Sequence, residues 1–388
     1  MPWKETHALS ERTRFIAKWL EQELTMAELC RMFGVSRKTG YKWLRRVLED
    51  GEAGLRERSC APHHSPNRMA PWVADKILNL RGQKPTWGPR KLLHKLRLKY
   101  PDRPWPAPST AGQLLRREGL AVARKRRRKA TPSPNGLTQA EAPNGVWTAD
   151  FKGWFRTGDG RRCTPLTIAD GNTRYLLRCQ AMDGRTDFEA VGPLFDAVFR
   201  QYGLPAVIRT DNGPPFASTG RAGLSRLAVW WIGLGITPER IEPGEPQQNG
   251  RHERMHRTLK EDTLQPPAAN AGAQQRCFDR YLKEFNQERP HEGIGMRTPA
   301  SIYEASPRTY PRPLRVMQYP HGWMVRKVKC HGRIKWDGAV LHLSDALTGQ
   351  YVGLEPTEDG WWDIYFDSIL LGHLDEEAMR IVDPDVEK

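Results

Sequence analysis

The sequence predicts a multidomain chain with helical modules first, an α/β core second and a small all-β domain last. Three observations carry this. The apolar spacing is helical up to about residue 118, changes to strand-like runs at 143, and returns to short strand-like runs after 322. Stretches rich in Pro or Arg, without any period, fall at 59–70, 123–142 and 304–321 and read as linkers. And 388 residues exceed what one ordinary core organises. The divisions are therefore 1–58, 71–122, 143–303 and 322–388.

Charge is as uneven as the pattern. The formal net charge is +16, yet residues 1–130 hold 30 Lys+Arg against 12 Asp+Glu, so the first third is a polycation and the rest is nearly balanced. A basic stripe on folded modules points to a nucleic-acid partner ahead of an acidic membrane. No run of about 18 apolar residues occurs, which predicts no membrane span. The absence of a signal peptide predicts a cytoplasmic protein, nucleoid-associated if it binds DNA. Six scattered cysteines without a CxxC pair read as reduced thiols.

Residues 10–22 predict an amphipathic helix capped by Ser10, with Phe15, Ile16, Trp19 and Leu20 on one face. In "TMAELCRMFGVSRKTGYKWLRRVLEDG", Thr25 caps a short helix, Gly34 turns the chain and Ser36 caps the next helix. Val35, Tyr41, Trp43 and Leu44 are its apolar candidates. Helix, Gly turn, then a helix bearing Arg37, Lys38, Lys42, Arg45 and Arg46 is the helix-turn-helix pattern. The start of that second helix (Arg37, Lys38, Thr39) would face base edges, and the later cations phosphate. A second helical module follows, with helices near 71–83, 89–99 and 109–118, and again resembles a helix-turn-helix. Pro89 opens one, Ser109 or Thr110 caps the last, and Arg116 and Arg117 sit near its end. "ARKRRRKATPSPNG" then offers Arg124, Arg126, Arg127 and Arg128 as a tether on phosphates or in a minor groove.

From 143, "GVWTADFKGWFRT", "RRCTPLTIADG" and "TRYLLRCQAMD" read as three consecutive strands. An amphipathic helix follows, with Pro193 either near its start or kinking it. "LPAVIRTDNG" is a buried strand. Residues 223–234 are helical, "ITPERIE" is a fifth strand, and helices follow at about 248–264 and 270–287. This α/β order fits a ribonuclease-H-like sheet. On the helix after Asn249, Glu253, Arg257 and Lys260 fall within roughly 60° of one another at 100° per residue. His252, Met255 and Leu259 lie on the far side, where a core could take them. His252 reads as packed polar surface, with a proton carrier as the other reading.

Three carboxylates stand in recognisable settings: Asp150 in "VWTADFKGWF", Asp211 in "IRTDNG" and Glu253 in "QNGRHERMHRTLK". Their order and contexts, with the trailing "FNQERPHEGIGMRTPASIYE", resemble the DDE catalytic core of retroviral integrases and insertion-sequence transposases over about 143–303. The interval from Asp211 to Glu253 holds 41 residues, longer than the family's usual ~35, which implies an extended loop at 235–247. The resemblance implies that Asp150, Asp211 and Glu253 bind two Mg²⁺ ions, with Mn²⁺ able to substitute. It implies that Arg257 and Lys260 hold the element's DNA end, and that Asn212 and Gly213 shape the loop. Two such ions about 3.5–4 Å apart activate the attacking oxygen and steady the leaving one, and hard cations take carboxylate oxygens.

The implied function is a transposase that binds terminal inverted repeats on double-stranded DNA, frees a 3′-hydroxyl and transfers it to target DNA as at least a dimer. The rival is a sequence-specific regulator, or a domesticated transposase, that binds and does not cut. After 322, short runs with turns at His331-Gly332, Asp337-Gly338 and Asp359-Gly360 predict five strands and a small SH3-like barrel. Arg326, Lys327, Lys329, Arg333 and Lys335 give it a basic face.

Overall fold

The structure is a computed structural model that describes residues 8–58, 69–121, 136–242, 244–311, 313–357 and 360–384. The basic run with Arg124, Arg126, Arg127 and Arg128 lies outside the described residues. The chain divides into two compact units, Met1–Met69 and Ala70–Lys388.

The first unit holds α1 (Ala8–Leu20), α2 (Met26–Met32) and α3 (Arg37–Asp50). Helix α1 begins before Ser10, so that residue lies inside the first turn and does not cap it. Thr25 does cap α2. Its hydroxyl accepts from the Glu28 N–H, and the Glu28 carboxylate accepts from the Thr25 N–H at 2.9 Å. Gly34, at φ +66, makes the turn, and Ser36 caps α3. Phe15, Leu29, Trp43 and Leu55 form the core. Tyr41 is 57% exposed and does not join it, because α3 turns that position outward between buried Gly40 and Trp43.

The second unit opens with α4 (Pro71–Gln83), α5 (Pro89–Lys99) and α6 (Pro108–Arg117). Each has Pro in its first turn, where the missing N–H costs nothing. In α6 the cap is Ala107, which places Ser109 and Thr110 inside the first turn.

The α/β layer then runs β1 (Val146–Phe151), β2 (Phe155–Arg156), β3 (Arg162–Cys163), β4 (Leu166–Asp170), β5 (Leu176–Gln180), α7 (Phe188–Tyr202), β6 (Val207–Thr210), α8 (Arg226–Gly233), β7 (Thr237–Arg240), α9 (Gly250–Thr263) and α10 (Ala271–Gln287). The sheet order is β5-β4-β1-β6-β7. Strands β1, β4 and β5 pair antiparallel, while β6 and β7 join in parallel. The first two expected strands are each broken, and their ends form the separate β2–β3 hairpin. Helix α7 runs through Pro193, whose lost bond falls on the carbonyl of exposed Glu189.

Both faces of this sheet are covered, as a strand buried along its whole length such as β4 requires. Trp147, Ala149, Leu166 and Ile168 pack on Phe195, Phe199 and Trp231 from α7 and α8. Ala169, Leu176 and Cys179 pack on Met255, Leu259 and Phe278 from α9 and α10. Side chains alternate along a strand, so Thr148 and Asp150 of β1, and Thr167 of β4, face α9.

The last domain is all β: β8 (Met324–Lys327), β9 (Arg333–Trp336), β10 (Ala339–His342), β11 (Tyr351–Pro356), β12 (Trp361–Phe366), β13 (Ile369–Asp375) and β14 (Arg380–Val382). A sheet β14-β13-β12-β11-β8 stands with the β9–β10 hairpin. The expected final strand is two strands, because Asp367 turns the chain at φ +54. The apolar interior (Val328, Trp336, Ile364, Leu371) is continuous with Leu224, Ala228, Val229 and Ile232 of the α/β layer. Among the described residues, no helix is long and apolar enough to cross a membrane.

Candidate active site

The site begins with strand register. Strands β1 and β6 run parallel with Val146 beside Val207 and Thr148 beside Arg209. The same offset carried two residues further sets Asp150 level with Asp211, at the first residue beyond β6. Asn212 fastens the loop that follows, its amide donating to the Ile241 carbonyl at 2.6 Å. The Gly213 N–H donates to Asp211 Oδ1 at 3.2 Å.

Helix α9 supplies the third wall. Asp150 and Lys152 from the end of β1 line one cavity of about 420 Å³ with Glu253, His256, Arg257 and Lys260. The one face of α9 that the periodicity places together is thus the face turned to Asp150. The charges register in Asp150, whose carboxyl is pushed up to about 7. Burial is the largest cause, repulsion from Asp211 comes next, and Glu253 adds to it; the Phe151 backbone bond and Lys152 oppose. Two further carboxylates therefore act on Asp150, in a cavity that also holds Lys152, Arg257 and Lys260. A hard divalent cation fits that donor set.

Beneath Asp150 lies a polar chain that joins Thr167, His252 and His256. Thr167 is the cross-strand partner of Asp150 and fully buried. Its hydroxyl meets His252 Nε2 and His256 Nε2, each at 2.6 Å, and the Asp150 carbonyl at 3.1 Å. The other nitrogen of His252 meets the Thr148 hydroxyl at 2.8 Å. The other nitrogen of His256 faces Asp150 Oδ2 at 3.6 Å. Ligand atoms of Asp150, His252 and His256 lie within 4.8 Å of one another. They do not make a three-ligand metal centre, because both nitrogens of His252 are already engaged. His256 stands beside the Asp150 carboxylate, beyond hydrogen-bond distance. Burial pushes both imidazoles down, His252 to about 3, so they are neutral. His252 is a packed polar side chain, 3% exposed. His256 was legible in one respect only: it follows Glu253 by three residues and shares its face.

The other candidate residues stand elsewhere. Arg37, Lys38, Lys42 and Arg45 are exposed on α3 of the first unit. Thr39 meets the capping hydroxyl of Ser36 at 2.9 Å, and Arg46 lies 4.9 Å above the Trp43 ring. Arg116 and Arg117 are exposed at the end of α6, and Arg117 pairs with Glu118 at 3.1 Å. None of them lines the cavity with Asp150.

Comparison with known proteins agrees with this layout. Two models described as an integrase core domain match residues 140–246 and 234–299. Two described as a homeodomain-like domain match 8–56 and 39–115. The C-terminal domain of the IS481 family transposases matches 323–381. A 31.7 kDa protein of insertion element IS407 from Burkholderia multivorans is 30% identical over 192 residues, 49% of this chain and 66% of that protein. A 39.2 kDa protein of insertion element IS476 from Xanthomonas euvesicatoria is 29% identical over 254 residues, 64% of this chain and 68% of that one. The chain thus spans about two thirds of the length of these relatives. The catalytic core domain of HTLV-2 integrase, solved in complex with magnesium, aligns at 18% identity with a TM-score of 0.33, covering 42% of this chain and 99% of that one.

Proposed function

We propose that this chain, which belongs to the insertion-sequence transposases with an integrase-like core, binds the terminal inverted repeats of a mobile element, cleaves at the element's 3′ ends and joins them to target DNA. What supports this is that Asp150 and Glu253, a hundred positions apart, line one cavity, with Asp211 level with Asp150 beyond the neighbouring strand. Asp150, Asp211 and Glu253 would hold two magnesium ions, with manganese able to substitute. Bound there, the metal supplies an activated attacking oxygen and stabilises the leaving one.

The chain's own side chains do the rest. Arg257 and Lys260 stand in the same cavity as Asp150 and hold the phosphodiester at the element's end. The cations of α3 and α6, with the basic run near 124–128, grip the double-stranded DNA of the end outside the chemistry. Two ends joined in concert need at least a dimer, working on DNA in the bacterial cytoplasm.

The test is labelled end DNA with Mg²⁺. The wild type should nick at the 3′ end, and Asp150→Asn, Asp211→Asn and Glu253→Gln should each lower nicking at least a thousandfold while binding persists. Nicking by Asp150→Asn at the wild-type rate would remove the assignment. A wild type that binds its ends tightly and never nicks, with Mg²⁺ or Mn²⁺, would make the chain a silent DNA-binding protein.

A further inference from the structure

Helix α9 separates two cavities, and Arg257 lines both. One is the cavity in which Asp150 and Glu253 stand with Lys152, Arg257 and Lys260. The other, of about 400 Å³, is walled by Lys91 of α5, Arg174 of the β4–β5 turn, Arg251, Arg254 and Arg257 of α9, and Arg289 beyond α10. Against these six cations stand two carboxylates, Glu261 and Glu292. Glu292 is drawn to Arg90 at 2.8 Å. Arg289 is bound to Asp262 at 3.0 Å and Arg251 to the Gly171 carbonyl at 2.7 Å. The side chains of Lys91, Arg174 and Arg254 make no hydrogen bond or close ion pair among the described residues.

Such crowding of like charge is unfavourable for the fold by itself. Burial, then Arg251 and Arg254, pushes the Arg174 guanidinium down. Burial, then Arg289, pushes Lys91 down to about 8. The backbone is committed to the arrangement as well. Arg174 holds φ +64, a region non-glycine residues seldom enter. A Cβ on Gly293 would stand 1.8 Å from Arg174 Nη2, so the glycine leaves room for the guanidinium. The segment leading into α5 is fastened in place: Lys84 pairs with Glu284 at 3.0 Å and Glu288 at 2.8 Å, and the Trp87 indole donates to Glu284 at 3.1 Å. A fixed, half-enclosed cluster of unpaired cations is what a phosphate group requires.

We propose that this cavity is a phosphate-binding pocket that takes a backbone phosphate of the DNA strand whose neighbouring phosphodiester lies at the acids. The link is Arg257, which lines both cavities, so a strand leaving the Asp150 cavity around the helix meets Arg254 and Arg174 next. The pocket deepens the proposed function and rests on that reading for the identity of its occupant.

The test uses the full chain as Asp150→Asn, so that no DNA is cut, and a fluorescein-labelled duplex of arbitrary sequence. Lys91 is acetylated with a water-soluble amine reagent at pH 8 and quantified by mass spectrometry. Saturating duplex should lower Lys91 labelling about threefold or more, as contact with phosphate removes the free amine. Arg174→Met should abolish that protection and lower the salt dependence of duplex binding by about one phosphate contact, while Arg174→Lys keeps both. Arg174→Met should also melt no lower than its parent, since it relieves repulsion; a cation with a structural role would lower the melting temperature. Equal labelling of Lys91 with and without bound duplex overturns the proposal. Protection by inorganic tripolyphosphate but not by duplex overturns it too, by making the occupant a free phosphate. Failure of the wild type to nick DNA bears on the cleavage reading alone, because Lys91 protection is read without cleavage.

Discussion

At the scale of the residue, Asp150 is a carboxyl whose charged form its surroundings disfavour. Its carboxyl is pushed up to about 7 by burial and by Asp211 and Glu253. A folded-state value above the unfolded one means that its contribution to stability is complete below about pH 4 and is lost as pH rises through about 7. Above that, without metal, the charge destabilises the chain by a few kcal/mol in order of magnitude. Asp150→Asn should therefore raise the melting temperature in EDTA at pH 8, and raise it less at pH 5. Magnesium should raise the melting temperature of the wild type and leave that of the variant nearly unchanged. A variant that melts below the wild type at pH 8 would contradict this. Asp150, Asp211 and Glu253, the proposed metal ligands, could be nominated from sequence because each sits in a distinctive run of neighbours. Thr167 and His256 could not, since a threonine inside a buried strand and a histidine on a helix look the same in sequence whether or not they meet a carboxylate.

At the scale of the element, α9 divides its labour by face. Glu253, Arg257 and Lys260 turn to the acids, while His252, Met255 and Leu259 are buried against the sheet. The 100° rule gave that division in advance, because it is a property of any helix. The breaks in β1 and β4 escaped it, because alternation continues past Phe151 although the pairing does not. The buried imidazoles of α9 carry a further consequence. His252 and His256 have folded values below the ordinary one near 6.5, so their contribution to stability is present above that pH and is lost as pH falls. Asp150 acts in the opposite sense over part of the same range, so the effect is to be read in Asp150→Asn. Its melting temperature should fall between pH 7 and pH 5. The Thr167→Val variant, which leaves the ring nitrogens without their shared hydroxyl, should lose about 1–3 kcal/mol at pH 7. Thermal melts across that pH range check both, and an unchanged melting temperature in Thr167→Val would mean that the hydroxyl is dispensable.

At the scale of the molecule, the two ends of the chain relate differently to its middle. Residues up to Met69 form their own unit around Phe15, Leu29 and Trp43. The β domain has no such independence. Leu224, Ala228, Val229 and Ile232 of the α/β layer are at most 5% exposed and share one apolar cluster with Val328, Ile364 and Leu371. The Pro- and Arg-rich stretch between them, which in sequence looks like a tether, is laid onto the layer: the Leu204 N–H donates to the Arg308 carbonyl at 2.8 Å, and the Arg315 N–H to the Gly233 carbonyl at 2.7 Å. Composition marks a break in period but carries no record of what the break packs against, so this joint was illegible. A chain beginning at residue 70 should therefore melt within a few degrees of the full chain while binding DNA more weakly, having lost the cations of α3. A chain ending at residue 321 should lose stability out of proportion to its length. It exposes several large side chains of the α/β layer, each contributing roughly 1.5–3 kcal/mol when buried, against a total for a domain of about 5–15 kcal/mol. Circular dichroism melts of the two truncations decide between this joint and a freely hung β domain, for which the chain ending at residue 321 would melt where the full chain does.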